Sequence, residues 1–271
     1  MANDLRWSNA GNPGRRLGRT VEFHPTIGST NDRAWELLRL GQEHVAVLAD
    51  LQTAGRGRRG RTWSSPAGVN LMVSLGFRPR ISAADAWLLG AVTGLAVLEA
   101  CRADLPRSAP EIALKWPNDV VDASGRKLAG LLVETAITQD RVSEAVLGVG
   151  MNVNWPRGEM PAEIAERATS LVELSGNPVD RAVLLERYLA ALDHEVVDLE
   201  AGRSPLERFR DASWLTGRDV RVSAGEAVVA GRVRGIGPDG SLEIEGPDGV
   251  VGVAYGEVVH VDLDAIRVLT A

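Results

Sequence analysis

The stretch Gly55-Arg56-Gly57-Arg58-Arg59-Gly60-Arg61 constrains this chain most, because it sets four guanidinium groups within six residues. Like charges that close repel one another, and the glycines between them carry backbone freedom that folding must remove. Such a loop needs an anion to face it. Discounting these four arginines takes the formal charge of the chain from −6 to −10, so the loop is a basic island in an acidic protein. A small polyanionic ligand suits that contrast better than a long nucleic acid, which calls for a broad basic surface. Repulsion and glycine entropy predict that residues 55–63 stay mobile until an anion binds and orders them as a lid.

Composition narrows the class. With 271 residues, 45% of them hydrophobic, there is material for one large core or a core with a small companion. Only 4% are aromatic, so aliphatic side chains must fill it. Cys101 is the single cysteine, which excludes an intrachain disulfide framework and a multi-thiolate zinc site. It extends an apolar helical stripe and reads as a buried small hydrophobe. The first twenty residues lack the apolar stretch of a signal peptide, and no apolar run reads as long enough to span a bilayer. The expectation is a cytoplasmic enzyme with no membrane partner.

Periodicity divides the chain in three. Residues 1–20 read as an irregular, loose tail. Residues 21–215 read as a catalytic domain of the α/β (α+β) class, a mixed but mostly antiparallel sheet flanked by helices. Its strands fall near Val21–Phe23, Val45–Ala49, Val69–Leu75, Ile112–Trp116, Leu128–Ile137 and Val142–Val149; joined this closely, they must be largely antiparallel. Helices are expected after Thr30, over Ser82–Arg102, at Pro161–Ala168 and over Arg181–Leu199. From residue 216 to 271, short alternating strands separated by Pro238-Asp239-Gly240 and Pro247-Asp248-Gly249 turns predict a small β-barrel.

Gly55-x-Gly57-x-x-Gly60 formally matches the dinucleotide fingerprint, but Thr62-Trp63-Ser64-Ser65-Pro66 leads on to a strand rather than a helix, so that reading fails on context. A solvated charged loop, an anion-binding nest of backbone N–H groups and an Arg/Gly RNA-binding segment stay open. Lys115-Trp116-Pro117-Asn118-Asp119 ends a strand at a proline. It is either a plain Asx turn or a place where Lys115 meets phosphate and Asp119 holds Mg²⁺. Lys127 in Gly125-Arg126-Lys127-Leu128-Ala129-Gly130 is unremarkable alone. Gly148-Val149-Gly150-Met151-Asn152-Val153-Asn154 either frames a ligand's polar edge or merely leaves a strand.

Taken in order, Ser29-Thr30-Asn31, Gln52-Thr53-Ala54-Gly55-Arg56-Gly57-Arg58 and these three motifs resemble the biotin protein ligase family. The resemblance covers about Thr26 to Leu171, and the C-terminal barrel, of SH3-like type, matches the family's architecture. It implies an enzyme that activates biotin with ATP and Mg²⁺ as biotinyl-5′-AMP. Biotin then passes to a lysine of the biotin carboxyl carrier domain of an acetyl-CoA or acyl-CoA carboxylase. Family members that repress transcription begin with a helix-turn-helix domain; the short tail here implies a monofunctional ligase with no DNA partner. Lipoate or octanoate ligases and transferases share the fold and are the alternative enzymes.

The resemblance also assigns roles. Ser29, Thr30, Asn31 and Gln52 would hydrogen-bond biotin's ureido ring, with Leu128, Ala129 and Gly130 as walls for its tail. Gly55, Arg56, Gly57 and Arg58 would close over biotin and the adenylate phosphate. Lys127, with Arg58, would be catalytic, between biotin's carboxylate and the α-phosphate. Lys115 and Arg61 would hold the outer phosphates, and Asp119 with Asn118 the Mg²⁺. Asn152 and the segment near Trp155 would meet adenosine, and Trp63 would pack on the loop, the nucleotide or the core.

Overall fold

The structure, a computed structural model, describes Trp7 and residues 10–225 and 227–261. The end of the expected barrel, residues 262–271, and most of the first nine residues lie outside the described residues. Seven strands form the larger sheet: β1 (Thr20–His24), β2 (Val45–Ala49), β3 (Leu71–Phe77), β4 (Ile112–Lys115), β5 (Asp119–Asp122), β6 (Lys127–Thr138) and β7 (Arg141–Met151). Their spatial order is β1-β2-β3-β7-β6-β5-β4. Only β1 and β2 run parallel, because α1 (Thr30–Arg39) crosses over between them; the remaining neighbours are antiparallel.

Strand alternation assigns the two faces. Val47 of β2 and Val146 of β7 point to α1 and join Ala34, Leu37 and Leu38 in a small cluster. Ala46, Leu48, Ala145 and Leu147 point the other way, into the main core beneath α2 (Leu88–Arg102) and α5 (Arg181–Glu200). Leu184, Leu185, Tyr188, Leu189 and Leu192 of α5 are all buried, as their spacing predicts. By length and composition alone, Ala83–Arg102 is long and apolar enough to cross a bilayer, which corrects the expectation that no such run exists. In the fold it is core: eleven of the fifteen residues of α2 are buried. Its predicted start at Ser82 is a separate 3₁₀ turn, Ala83–Asp85, closed by Ser82. Cys101 is fully buried, and burial pushes its thiol pKa up to about 12.

The stretch expected to be loose contributes to the core as well. Trp7, Ala10 and Leu17 are buried, and Trp7 stacks on Phe23 of β1 with ring centroids 5.8 Å apart. Isolated apolar residues among Gly, Asn and Arg carry no period, so only the fold reveals that they are needed. Three short helices, α3 (Ala162–Ala165), α4 (Leu171–Ser175) and α6 (Leu206–Asp211), connect the parts. The second sheet is five-stranded, antiparallel and SH3-like. It comprises β8 (Asp219–Ala224), β9 (Ala227–Ile236), β10 (Leu242–Gly246), β11 (Gly249–Val253) and β12 (Glu257–Val261), in the order β11-β10-β9-β8-β12. Its inward residues Val220, Val222, Val233 and Ile244 merge with the main core. Trp116 Nε1 also donates to Gly240 O at 3.1 Å, so the small sheet is docked against the β4–β5 turn.

Candidate active site

The site lies on the α1 face of the large sheet, where register clears a space. Gly148 of β7 stands between Ser74 of β3 and Leu132 of β6; two residues on, Gly150 pairs with Gly130. A Cβ on Gly148 would come within 2.9 Å of Asn31 Cγ, and one on Gly150 within 2.6 Å of Trp63 Cζ2. These glycines are seats: Asn31 and the Trp63 indole rest directly on strand backbone. Neither exit from a strand nor contact with ligand, the two readings left open for this motif, described that role.

Asn31, Thr30 and Ser29 begin α1. Gln52 caps the helix from a neighbouring loop, its Oε1 accepting from Thr30 N at 2.8 Å and Thr30 Oγ1 at 3.0 Å, while Ser29 makes no side-chain capping bond. Ser74 Oγ donates to Asn31 Oδ1 at 2.6 Å, and Asn31 Nδ2 donates to Leu132 O at 3.3 Å and Glu134 Oε2 at 2.8 Å. The Asn31 carboxamide is thus committed to protein partners.

The glycine–arginine stretch is a hairpin, closed by Gly57 N to Arg61 O at 2.7 Å and Trp63 N to Gly55 O at 2.9 Å. A Cβ on Gly55 would stand 2.6 Å from Trp63 O, so this glycine lets the hairpin legs approach. At the tip Arg59 and Gly60 both adopt positive φ, 56° and 74°. The charges do not stand unmet. Arg56 pairs with Asp32 at 2.7 Å and Glu134 at 3.1 Å; Arg61 pairs with Glu257 of β12, and Arg59 lies 4.0 Å from the same carboxylate. This corrects the expectation of a bare basic island: carboxylates far away in sequence supply the counter-charge. Hydrogen bonds from Arg61 hold Glu257 below the usual carboxylate range. Arg58 forms no ion pair among the described residues; its guanidinium lies 3.4 Å from Asn118 Oδ1, and burial lowers its pKa.

Lys127 Nζ forms an ion pair with Asp119 Oδ1 at 2.7 Å and lies 5.6 Å from the centre of the Trp63 ring. Lys115 Nζ sits 5.4 Å above the Trp214 ring, and burial lowers its pKa. Asn118 Nδ2 donates to Leu131 O at 2.8 Å, and Asn152 Nδ2 to Lys127 O at 3.2 Å, which brace the β4–β5 turn and the start of β6. Two cavities meet here. A small one of about 140 Å³ has Ser29, Thr30 and Gln52 at one end; a larger cleft of about 630 Å³ is walled by Lys115, Asn152, Trp155 and Glu257. Arg58, Arg61, Trp63, Asn118, Asp119 and Lys127 line both.

Most predicted site residues therefore converge. Leu128 and Ala129 do not: both are fully buried in the main core and line neither cavity. The strand is enclosed at that point, and the small cavity's apolar walls come further along, from Leu131, Leu132 and Val149. Ser74, Asp32, Glu134 and Glu257 escaped the sequence reading. Ser74 alone left a trace, as a hydroxyl inside the apolar run of β3.

Among the described residues no cluster of three or more His, Cys, Asp or Glu could hold a metal ion. Asp119 nevertheless offers a carboxylate at the wall shared by the two cavities, its Oδ1 held by the Lys127 ammonium at 2.7 Å. One such carboxylate suits Mg²⁺, which keeps most of its waters and takes phosphate oxygens as further ligands.

Residues 23–152 match the biotin/lipoate A/B protein ligase family. The biotin–acetyl-CoA-carboxylase ligase of Mycobacterium tuberculosis is 37% identical over 89% of each chain. The bifunctional ligase/repressor BirA of Bacillus spizizenii is 31% identical over 86% of this chain and 72% of its own. Among solved structures, the Aquifex aeolicus biotin protein ligase in complex with biotin and ATP superposes with a TM-score of 0.73. That likeness has 28% identity and covers 89% of this chain and 98% of that one. Fold and site together define a cofactor–protein ligase. The chain belongs to the biotin protein ligase family.

Proposed function

We propose that this chain joins biotin to ATP as biotinyl-5′-AMP, releasing pyrophosphate, and passes biotin to one lysine of a biotin carboxyl carrier domain of an acetyl-CoA or acyl-CoA carboxylase. One observation carries the assignment of parts. The small polar-ended cavity and the large cationic cleft share a wall at which Lys127, Arg58 and Asp119 meet.

Biotin's urea fits the end formed by Ser29, Thr30 and Gln52, and its apolar tail fits Leu132 and Val149. Thr30 and Gln52 Oε1 already bond one another, so the urea adds partners for the Ser29 hydroxyl and the Gln52 NH₂, which a dithiolane or alkyl chain could not supply. This disfavours lipoate and octanoate. The triphosphate belongs in the larger cleft, with Lys115 and Arg61 on its outer phosphates and Asn152 and Trp155 towards the adenosine. Biotin's carboxylate and the α-phosphate repel, and the ammonium of Lys127 with the free guanidinium of Arg58 offsets that charge as it develops in the transition state. Holding the two anions in register supplies much of the remaining acceleration. When Mg²⁺ is bound at Asp119, it neutralises phosphate charge. In the second half-reaction the carrier lysine's nitrogen bonds to the acyl carbon, the bond from that carbon to the phosphate oxygen breaks, and AMP leaves.

The catalytic part, residues 21–215, and the barrel from residue 216 onwards would act together, since Glu257 and Val258 wall the nucleotide cleft. An RNA-binding role for the arginines is disfavoured because three of the four already face protein carboxylates. A reaction that consumes ATP and serves a carboxylase supports a cytoplasmic location. Titration calorimetry with biotin, repeated with a non-hydrolysable ATP analogue, tests the assignment alongside ATP–pyrophosphate exchange driven by biotin, lipoate or octanoate. Exchange driven by biotin alone is expected; exchange indifferent to biotin refutes it.

A further inference from the structure

Glu134 lines neither cavity, yet its carboxylate accepts four hydrogen bonds beside them. It follows Leu132 along the cleft face of β6. Its Oε1 accepts from Arg56 Nη1 at 3.1 Å and its Oε2 from Arg56 Nη2 at 3.2 Å, the two-point fork that suits a planar guanidinium. Asp32 Oδ1 takes a further bond from Nη2 at 2.7 Å. One positive charge therefore faces two negative ones. An incoming carboxylate or phosphate would meet net negative charge there, so this guanidinium is a poor seat for ligand. Arg58 is the guanidinium left free for that task.

The same Glu134 Oε2 accepts from Asn31 Nδ2 at 2.8 Å. Asn31 Oδ1 takes the Ser74 hydroxyl, Ser74 Oγ lies 2.7 Å from Thr30 Oγ1, and Thr30 leans on Gln52. A continuous polar network thus runs from the base of the hairpin to the polar end of the small cavity.

The geometry points to Glu134, assisted by Asp32, as a positioning residue that straps Arg56, and with it the glycine–arginine hairpin, to the polar end of the biotin cavity. This rests on the reading of that cavity as the biotin site. The strap keeps the hairpin over bound biotin and sets how long biotin stays, while Lys127 and Arg58 set the rate of its activation.

Glu134→Gln retains an oxygen for Asn31 and turns an amide NH₂ against Arg56. Hydrogen–deuterium exchange of the hairpin, residues 53–64, is measured first on ligand-free protein, where the variant should exchange roughly fivefold faster than wild type, the size of a partly exposed charged fork. Biotin should dissociate faster by a similar factor, with a raised KM for biotin and kcat for pyrophosphate exchange within about twofold of wild type. Arg56→Ala should show the same faster hairpin exchange and faster loss of biotin, and in these two readouts the double variant should be no worse than either alone. Asp32→Asn, which loosens the other side of the strap, should show a smaller shift in the same direction. Unchanged hairpin exchange in Glu134→Gln, a fall in kcat at constant KM, or additivity in the double variant overturns the proposal. Failure of wild type to bind biotin would refute the functional reading instead, because the hairpin measurement needs no ligand.

Discussion

Gly150→Ala tests whether the glycine floor is there to seat Trp63. The new Cβ would stand 2.6 Å from Trp63 Cζ2 and 2.9 Å from Cδ2, whereas non-bonded carbons prefer about 3.5–4.0 Å. The strand backbone cannot retreat, being paired with β3 on one side and β6 on the other. The indole must lift by about 1 Å. Overpacking of this kind costs about 1–3 kcal/mol, and surrendering on the order of 100 Å² of aromatic contact at about 25 cal/mol per Å² gives a similar figure, about 2.5 kcal/mol. Trp63 N is bonded to Gly55 O at the base of the hairpin, so the displacement carries to Arg58 and Arg61. Misplacing such groups by about 1 Å lowers a rate by about 100-fold. Biotin-dependent ATP–pyrophosphate exchange should therefore fall by about that factor, while the melting temperature drops only a few degrees for a chain of this size. In a Trp63→Ala background the same substitution should do little further harm. Exchange within threefold of wild type in Gly150→Ala would refute the reasoning.

Lys127→Ala should abolish adenylate formation with an unchanged far-ultraviolet spectrum and melting temperature; near-normal pyrophosphate release would remove Lys127 from its role. Glu257→Gln frees Arg61 and Arg59 for phosphate, so the KM for ATP should fall about two- to fivefold, an effect the size of a surface ion pair; a rise would show that Glu257 positions these arginines rather than competing with the nucleotide. Burial lowers the pKa of Lys115, so its ammonium is lost at a lower pH than an ordinary lysine's, about 10.4. kcat/KM for ATP should hold near neutrality and decline as pH rises through that lowered value; Lys115→Arg should remove the decline, and a profile unchanged by that substitution would dismiss Lys115 as the titrating group.

Much of this was legible from local chemistry. Short apolar runs marked strands of the large sheet and alternation those of the small one, leucine spacing marked α5, and Lys115 and Asp119 flanked a proline at a strand end, while Lys127 gained weight only from the family resemblance. Local patterns failed where a residue's role is set by a distant neighbour. Leu128 and Ala129 looked like cavity walls because they sit in the motif with Lys127, but strand enclosure sends them into the core. Trp7 and Leu17 read as tail because the few apolar residues near them carry no period. Gly148 and Gly150 could not disclose that Asn31 and Trp63 would lie on them, since cross-strand register decides what faces a glycine.

The order of the motifs and the alternation of apolar residues were enough to place this chain in its family and class. Both are short-range properties, written in a few neighbouring residues at a time. The state of the charges was not. Four arginines within six residues call for an external anion, and the fold instead brings Asp32, Glu134 and Glu257 to three of them. Electrostatic energy depends on distance in space rather than separation along the chain. Only the tertiary structure could decide which guanidinium is left free to act.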